Sequence, residues 1–412
     1  MSRKTLAMVL AGGVGKRLHP LTCDRVKPAV PFGGAYRLID FSLSNCLNSN
    51  IRRICVLTQY KSLSLERHIR YGWSFLPHTL GEFIQLLPPQ QRVGSMWYQG
   101  TADAVFQNIY SIDHANPDHV LILSGDHIYK MNYRPMIKAH IASKAAVTVG
   151  VIPIALNKAH SFGVIEVDHG MNIVGFDEKP EHARPTTADP SKALVSMGIY
   201  VFDTQLLKDE LTRDHSNKDS SHDFGKDILP SLVGRMPMNA YPFIDENRKE
   251  ELYWRDVGTL DAYWEANMDL ISVDPLLNLY DKRWPINTHH EAAPPAKCVF
   301  ADLECGTGGG RAGFAMDSLI SPGDILSGGQ VIRSVLAPYV RIDEEARIEE
   351  SILHEGVHVG SHCRLFRTIV DKGVKIPPGS QIGYDRDKDR TRFTVSENGI
   401  VVIRRNAKLD ST

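Results

Sequence analysis

The sequence predicts an α/β domain followed by a parallel β-helix, and two patterns carry this prediction. Between residues 5 and about 270, short apolar runs alternate with amphipathic stretches, which is typical of a mostly parallel, Rossmann-like sheet covered by helices. From about residue 316 onward, apolar side chains recur every 17 positions. We therefore assign residues 1–270 to the first domain, 271–315 to a Pro- and Gly-rich linker, and 316–412 to the second domain.

Length and composition narrow the class of protein further. A chain of 412 residues exceeds one ordinary core, and a net charge of −1 gives no basic field for nucleic acid. The six cysteines are scattered without a C-x-x-C pair, which favours reduced thiols over disulfides or zinc. Because we find neither a signal peptide nor an apolar run of about 18 residues, we expect a soluble, cytoplasmic protein without membrane contacts.

The first apolar run, Leu6 to Ala11, predicts a buried strand that ends in a glycine-rich turn. Glycines let backbone N–H groups face an anion, and cations close behind them add charge. The glycines of this turn are Gly12, Gly13 and Gly15, and the cations are Lys16, Arg17, Arg25 and Lys27. The stretch therefore indicates polyphosphate binding, although a solvated basic turn has the same composition.

Two better-known phosphate motifs do not fit this turn. A P-loop needs four residues between its glycines, whereas two separate Gly12 from Gly15, and Arg17 stands where the hydroxyl is required. The dinucleotide fingerprint needs a third small residue, and Leu18 occupies that position.

Later strands end at polar side chains, where ligands of open α/β sheets bind. We predict strands at Leu6–Leu10, Ile54–Thr58, Val120–Ser124, Ala146–Val151 and Gly198–Phe202. Asp126 follows the third of these, and the spacing alone leaves a helix cap and a cation ligand equally open. Asp256 precedes a helix for which Thr259 is the better cap.

Two further blocks carry polar residues next to predicted elements. The segment Gly100–Asp103 is typical of a helix start, with Thr101 and Asp103 as capping side chains. Residues 161–168 and 173–180 form a predicted hairpin that ends at Glu178 and Lys179. An exposed Glu–Lys pair of this kind is usually solvated charge.

The 17-residue repeat predicts the second domain from spacing alone. Apolar positions within one period lie six, six and five residues apart, which fits short strands wrapped into a triangular coil rather than a 3.6-residue helix. The repeating series are Val340, Val357, Val374; Ile325, Ile342, Val359, Ile376; Val331, Ile348, Leu365, Ile382; and Leu319, Leu336, Leu353, Val370. Because about four coils leave open ends, we expect them to dock on the first domain or another subunit.

Three short motifs are interpreted as coincidental. Ser221, His222 and Asp223 are neighbours in sequence and cannot converge as a hydrolytic triad. The triplet at 223–225 lacks the other kinase motifs, and the His289–His290 pair lacks further ligands at metal spacing.

The opening stretch LAGGVGKRLHPLT, the later KPAV and the run from Phe32 to Tyr60 resemble the sugar-nucleotide pyrophosphorylases, specifically the glucose-1-phosphate adenylyltransferases. The resemblance extends to SGDHIYKMNY and covers nearly the whole chain. It implies a nucleotidyltransferase domain and a left-handed β-helix. It also implies transfer of the adenylyl group of ATP to α-D-glucose 1-phosphate, giving ADP-glucose for α-glucan synthesis.

The resemblance assigns roles by residue. It implies Arg17, Lys27 and Asp126 as catalytic residues, with Asp126 and Asp256 as ligands of Mg²⁺. The implied nucleotide contacts are Leu10, Ala11, Gly12, Gly13, Gly15, Tyr98, Gly100 and Thr101. The implied sugar-phosphate contacts are Tyr98, Gly163, Glu178, Lys179 and Ser196, with Tyr200 as a pocket wall. Arg25, Arg37, Lys372 and Arg405 match positions for an anionic allosteric effector, and the family is typically a homotetramer.

The chain departs from the family pattern at Val14, where bacterial members commonly carry Arg, and at Asp24, where some members carry a basic residue. We therefore expect weak or altered activation by fructose 1,6-bisphosphate. Three other functions stay open: a thymidylyl-, uridylyl- or guanylyltransferase, a non-catalytic regulatory subunit, and an acyltransferase. The last rests on the histidines at 354, 358 and 362, in a type of β-helix that often hosts acyl transfer.

Overall fold

The computed structural model describes residues 5–90, 97–302 and 311–409. The strands of the first domain are β1 (Thr5–Ala11), β2 (Pro31–Phe32), β3 (Tyr36–Arg37), β4 (Arg53–Thr58), β5 (Phe83–Leu87), β6 (His119–Ser124), β7 (His127–Tyr129), β8 (Val147–Ala155), β9 (Gly163–Val167), β10 (Ile173–Glu178), β11 (Lys192–Asp203), β12 (Met238–Pro242) and β13 (Trp254–Asp256). All five predicted strands are confirmed.

The helices of this domain are α1 (Leu38–Asn48), α2 (Leu63–Gly72), α3 (Thr101–Phe106), α4 (Ile109–Ala115), α5 (Tyr133–Ser143), α6 (Thr204–His215), α7 (Leu229–Leu232) and α8 (Leu260–Met268). Short 3₁₀ turns include Lys16–Leu18 and Lys27–Ala29, and Phe224–Ile228 forms a π-helical turn. Thr259 caps α8 as predicted, because its side chain accepts a hydrogen bond from the backbone N–H of Ala262.

The main sheet is mixed, with a parallel run at its centre. Its described strands follow the order β10-β9-β11-β6-β1-β4-β5, and β8 extends it from β11 toward β12. Strands β6, β1, β4 and β5 are parallel to one another, whereas β11 runs antiparallel to β6. The predicted hairpin is confirmed as the antiparallel pair β9 and β10. Helices cover both faces, so β1 is buried on both sides and reads as one continuous apolar run.

Strand pairing brings the segments of the predicted site together. Leu10 pairs with Ser124, so the glycine turn after β1 and the Gly125–Asp126 segment after β6 start side by side. The backbone N–H of Gly125 donates to the carbonyl of Leu10 at 3.0 Å. Strand β13 pairs with β7, which sets Asp256 opposite His127.

The second domain is a left-handed parallel β-helix built from three stacked sheets. Its strands are β14 (Lys297–Val299), β15 (Phe314–Met316), β16 (Ile325–Ser327), β17 (Gln330–Ile332), β18 (Val335–Leu336), β19 (Arg341–Ile342), β20 (Arg347–Glu349), β21 (Ile352–Leu353), β22 (His358–Val359), β23 (Arg364–Phe366), β24 (Thr368–Val370), β25 (Lys375–Ile376), β26 (Gln381–Ile382), β27 (Thr394–Val395) and β28 (Val401–Ile403). Helix α9 (Arg386–Arg392) interrupts the last coil.

The predicted repeat is confirmed except at its first coil. Ile342, Val359 and Ile376 stack in register at 17-residue spacing, but Ile342 pairs with Leu326 rather than with Ile325. Ile325 is half-buried and pairs with Arg341, because this coil is one residue shorter than those after it. Strand β14 already belongs to the β-helix, although it lies within the 271–315 segment predicted as a linker.

Part of that linker is fixed on the first domain. Leu277 is fully buried, and the Trp284 Nε1–H donates to Asn45 Oδ1 at 2.8 Å.

In the described part of the chain no helix is long and apolar enough to cross a membrane, and the described cysteines are free thiols.

A buried polar network ties the two domains together. Arg25 donates two hydrogen bonds to Asp371 of the β-helix, at 2.9 and 3.1 Å, and both side chains are 3% exposed. His354 Nδ1 lies 3.0 Å from Asp371, and its Nε2 lies 3.0 Å from the Tyr263 hydroxyl. Although burial raises it, the pKa of Asp371 is held well below its usual range by hydrogen bonding to His354 and by the charge of Arg25.

We expect Asp371→Asn to destabilise the protein by about 3–5 kcal/mol, because it leaves the buried Arg25 guanidinium without a counter-charge. Since the pKa of Asp371 is depressed in the folded state, its contribution is present above the unfolded value of about 3.9 and is lost as the pH falls below it. Urea denaturation of both proteins as a function of pH measures this. Asp387→Asn, at a 97% exposed side chain, is the matched control. Equal stability of wild type and Asp371→Asn at pH 7 would contradict the assignment.

Candidate active site

A cavity of about 550 Å³ opens at the carboxyl ends of β1 and β6. It is lined by residues 10–17, Lys27, Tyr98, Gly100, Thr101, Ser124, Asp126, Asp223 and Gly258, among others. All the residues predicted to contact the nucleotide therefore line one cavity, together with the predicted catalytic residues. Its position follows the general rule for open α/β sheets.

The glycine turn needs its glycines for different reasons. Gly15 has a φ of 63°, and a Cβ there would lie 3.0 Å from Lys27 Cβ and 3.1 Å from Thr22 Cγ2. The Thr22 hydroxyl donates to the Gly15 carbonyl at 3.0 Å and fixes the turn. A Cβ on Gly13 would meet nothing within 4 Å, so this position leaves the backbone open to the cavity.

Lys27 lies between the two predicted metal carboxylates. Its Nζ is 2.8 Å from Asp126 Oδ2 and 2.8 Å from Asp256 Oδ1, and the residue is 7% exposed. Burial alone lowers the pKa of Lys27, but the charges of both carboxylates raise it above its ordinary value. The pKa of Asp126 is lowered in spite of its burial, chiefly by Lys27 and His127.

Arg17 lies on the other side of this cluster. A Cβ on Gly258 would lie 3.1 Å from a terminal nitrogen of Arg17 and 3.4 Å from Asp256 Oδ2. Gly258 therefore leaves room for a guanidinium beside the carboxylate. The cavity and its border thus combine backbone amides with the cations Arg17 and Lys27. The carboxylates of Asp126 and Asp256 lie beside these cations, a set suited to a polyphosphate and its counter-ion.

The chemistry of the two carboxylates fits Mg²⁺. Magnesium takes oxygen ligands and commonly uses one or two carboxylates while keeping waters and substrate phosphates. Asp126 and Asp256 converge on one point, the Nζ of Lys27, and their side chains are 24% and 22% exposed. Among the described residues no cluster of three or more His, Cys, Asp or Glu side chains forms a metal cage.

The predicted sugar-phosphate residues gather beside this cavity around Glu178. Its carboxylate lies between two glycines: a Cβ on Gly163 would be 2.9 Å, and one on Gly225 2.7 Å, from Glu178 Oε2. Lys179 Nζ lies 2.6 Å from Glu178 Oε1, and Lys179 itself is 57% exposed with a left-handed φ of 49°. Strand β10 therefore ends at a closely packed carboxylate, and an exposed cation follows it.

The remaining sugar-side residues form the wall of this region. The Ser196 hydroxyl is buried, accepts from the backbone N–H of Gly198, and lies 3.4 Å from the Tyr200 hydroxyl. A register shift between Ser196 and Tyr200 interrupts the pairing of β11 with β8. Tyr98 is held by hydrogen bonds to Gln59 and Asn108 at the nucleotide end.

Comparisons with known proteins agree with this geometry. A family model described as Nucleotidyl transferase matches residues 6–273, and one described as GlmU-like, C-terminal hexapeptide, matches residues 294–403. A glucose-1-phosphate adenylyltransferase of Rhodopirellula baltica is 53% identical and covers 100% of this chain and 92% of its own length. Enzymes of that name from Koribacter versatilis and Paramagnetospirillum magneticum are 53% and 52% identical, covering 98% and 97% of this chain and 96% and 93% of their own.

The chain belongs to the glucose-1-phosphate adenylyltransferase family. The family models match both domains separately, on either side of residues 274–293.

Two residues of this family member were missed by sequence reasoning. Asp223, interpreted from sequence as part of a coincidental motif, lines the cavity and accepts a hydrogen bond from the Thr101 hydroxyl at 3.0 Å. Trp254 contacts the rings of His127 and Phe162, and its buried indole N–H has no partner among the described residues. Sequence spacing gave no signal for the contacts of either residue, because these contacts form only in the folded chain.

The predicted effector residues separate into two environments. Arg25 is buried in the interdomain ion pair, so the structure places it in a domain contact rather than on an accessible surface. Arg37 and Lys372 instead line a second cavity of about 320 Å³ between the domains, together with Glu355. Lys372 pairs with Glu355 at 2.5 Å. Although burial raises it, the pKa of Glu355 is lowered, chiefly by Lys372 and further by the charges of Arg37 and Arg405.

The three histidines that kept an acyltransferase open are all paired. His354 is buried in the interdomain network, His358 Nε2 lies 2.7 Å from Asp343, and His362 Nδ1 lies 3.0 Å from Glu345. These pairings give each histidine a structural partner.

We expect Gly163→Ala to raise the KM for glucose 1-phosphate roughly ten- to a hundredfold, because the new methyl group would lie 2.6 Å from Phe176 and displace the Glu178 carboxylate. The KM for ATP should change less than threefold, since the nucleotide residues lie elsewhere. Initial rates with each substrate varied in turn measure both. Gly170→Ala, in the exposed turn of the same hairpin, is the matched control. A rise in the KM for ATP alone would refute this role.

Proposed function

We propose that this chain transfers the adenylyl group of ATP to α-D-glucose 1-phosphate and releases pyrophosphate, giving ADP-glucose for α-glucan synthesis. The observation that supports this best is the convergence of the glycine turn, Arg17 and the Lys27–carboxylate cluster on one cavity, with the Glu178–Lys179 pair beside it. Relatives about half identical over nearly the whole chain bear the name of this activity.

The reaction needs alignment and charge stabilisation rather than a protein nucleophile. A phosphate oxygen of glucose 1-phosphate attacks the α-phosphorus of ATP, and the bond to pyrophosphate breaks. The amides of Gly12, Gly13 and Gly15 would line the triphosphate, and Arg17 would bind it through its guanidinium fork. Lys27 would neutralise charge as the pyrophosphate leaves.

The acceptor is held from the other side. Lys179 would bind the phosphate of the sugar as a mobile point charge, and Glu178 would accept hydrogen bonds from its hydroxyl groups. Asp223 and Ser196 offer further hydrogen-bonding groups. Asp126 and Asp256 would hold Mg²⁺, which supplies charge neutralisation and orientation of the phosphates when it is bound.

We expect Arg17→Ala to lower kcat/KM by about 10²–10³-fold, because it removes one preorganised cation from the phosphate site. Pyrophosphate release from ATP and glucose 1-phosphate is the measurement. Arg134→Ala, at an exposed residue of α5, is the matched control and should keep wild-type activity. Loss of less than threefold in Arg17→Ala would remove this residue from the mechanism.

The choice of base is tested directly by assaying the purified chain with ATP, dTTP, UTP and GTP. We expect ATP to give the highest kcat/KM with glucose 1-phosphate. A preference for another triphosphate would identify a different nucleotidyltransferase of the same fold. Failure to release pyrophosphate with all four would favour the regulatory-subunit alternative, against which the presence of Arg17, Lys27, Asp126 and Asp256 argues.

We also propose that an anionic metabolite regulates the enzyme at the second cavity, where Arg37 and Lys372 face one space. The enzyme is proposed to act as a homotetramer, as is typical of the family. Because Val14 and Asp24 replace basic residues, we expect fructose 1,6-bisphosphate to change the rate less than about threefold. Initial rates with a panel of phosphorylated metabolites, and with Lys372→Ala, measure this. A large activation by the bisphosphate would contradict it.

A further inference from the structure

The contact of Lys27 with two carboxylates has a consequence for metal binding. The ammonium group of Lys27 bridges Asp126 and Asp256 at 2.8 Å on each side, so it lies at the point on which both carboxylates converge. A divalent cation bound by both oxygens would share this point with a positive charge. At separations of a few ångströms two cations repel each other strongly, even at a surface-like dielectric constant.

The structure also restricts where the lysine can go. Its backbone is fixed in the 3₁₀ turn Lys27–Ala29, where Pro28 follows it and the N–H of Val30 donates to its carbonyl. Its Cβ packs against Gly15, since a Cβ on that glycine would lie 3.0 Å from it. The stem is therefore anchored, and only the outer torsions can move the ammonium group, within the cavity lined by the glycine turn.

We propose that Lys27 is an internal counter-cation that a divalent metal ion must displace from Asp126 and Asp256, and that the displaced ammonium group turns toward the triphosphate. This rests on the proposed function for the identity of the triphosphate, but the competition itself is between Lys27 and the metal ion for Asp126 and Asp256. His127 Nε2 lies farther from these carboxylates, at 3.7 and 4.0 Å. In the absence of ligands, Lys27 neutralises the two carboxylates. Divalent ions therefore bind weakly until the phosphates of a nucleotide can pair with the ammonium group. Metal and nucleotide then bind as a coupled pair.

The test measures the binding of Mn²⁺ alone, in the absence of nucleotide. Electron paramagnetic resonance of the free ion reports how much Mn²⁺ remains unbound. Lys27→Met should bind Mn²⁺ at least about tenfold more tightly than wild type, because its two carboxylates lose their internal cation. Lys16→Met removes a charge from the same cavity without an ion pair to either carboxylate, and should change the affinity less than threefold. Adding Asp126→Asn to Lys27→Met should abolish the gain.

Lys27→Gln is the second variant, because its amide can still donate to one carboxylate and should give a smaller gain in a folded protein. Thermal melting of each variant checks the fold. Unchanged or weaker Mn²⁺ binding in folded Lys27→Met and Lys27→Gln overturns the proposal, as does a gain that survives Asp126→Asn or appears equally in Lys16→Met. Because no turnover is measured, this outcome is independent of whether the wild type makes ADP-glucose, which the assay with four triphosphates decides.

Discussion

The site depends on one backbone arrangement, the pairing of β13 with β7. Asp126 follows β6 directly, but Asp256 is 130 positions away in the chain and reaches it only because Asp256 pairs with His127. This ladder holds the two carboxylates at one lysine, and the parallel register of β1 with β6 sets the glycine turn beside them. The clustering of charged side chains at the site is therefore a result of strand pairing.

The β-helix holds the segment that carries Lys27, through an ion pair two residues away from it. Arg25 and Lys27 belong to one short segment, and Asp371 of the β-helix holds the first while Asp126 and Asp256 hold the second. An apolar cluster joins buried residues of both domains, including Phe32, Tyr263 and Ile352. The two domains therefore share an apolar interface. A cavity with the cationic groups of Arg37 and Lys372 lies along this interface.

On the sugar side of the site, glycines are required for close packing rather than for an unusual backbone conformation. Gly163 and Gly225 have ordinary backbone conformations, yet any side chain there would meet the Glu178 carboxylate or the Phe176 ring. Close packing of backbone around one carboxylate fixes an acceptor without using further charged residues. At the nucleotide side, Gly15 combines both reasons, because it has a positive φ and touches Lys27.

The sequence by itself determined the elements whose signal is local or periodic: the five strands, the hairpin and the coils, since burial repeats with the period of each structure. It misplaced the first coil, where a missing residue shifts burial from Ile325 to Leu326, and it left β14 of the β-helix in the linker. The tertiary structure alone decided the contacts between distant segments. It joined Lys27 to Asp256, enclosed Arg25 with Asp371, and brought Asp223 to the cavity, because partner choice across hundreds of residues follows strand order and domain packing, which no local pattern records.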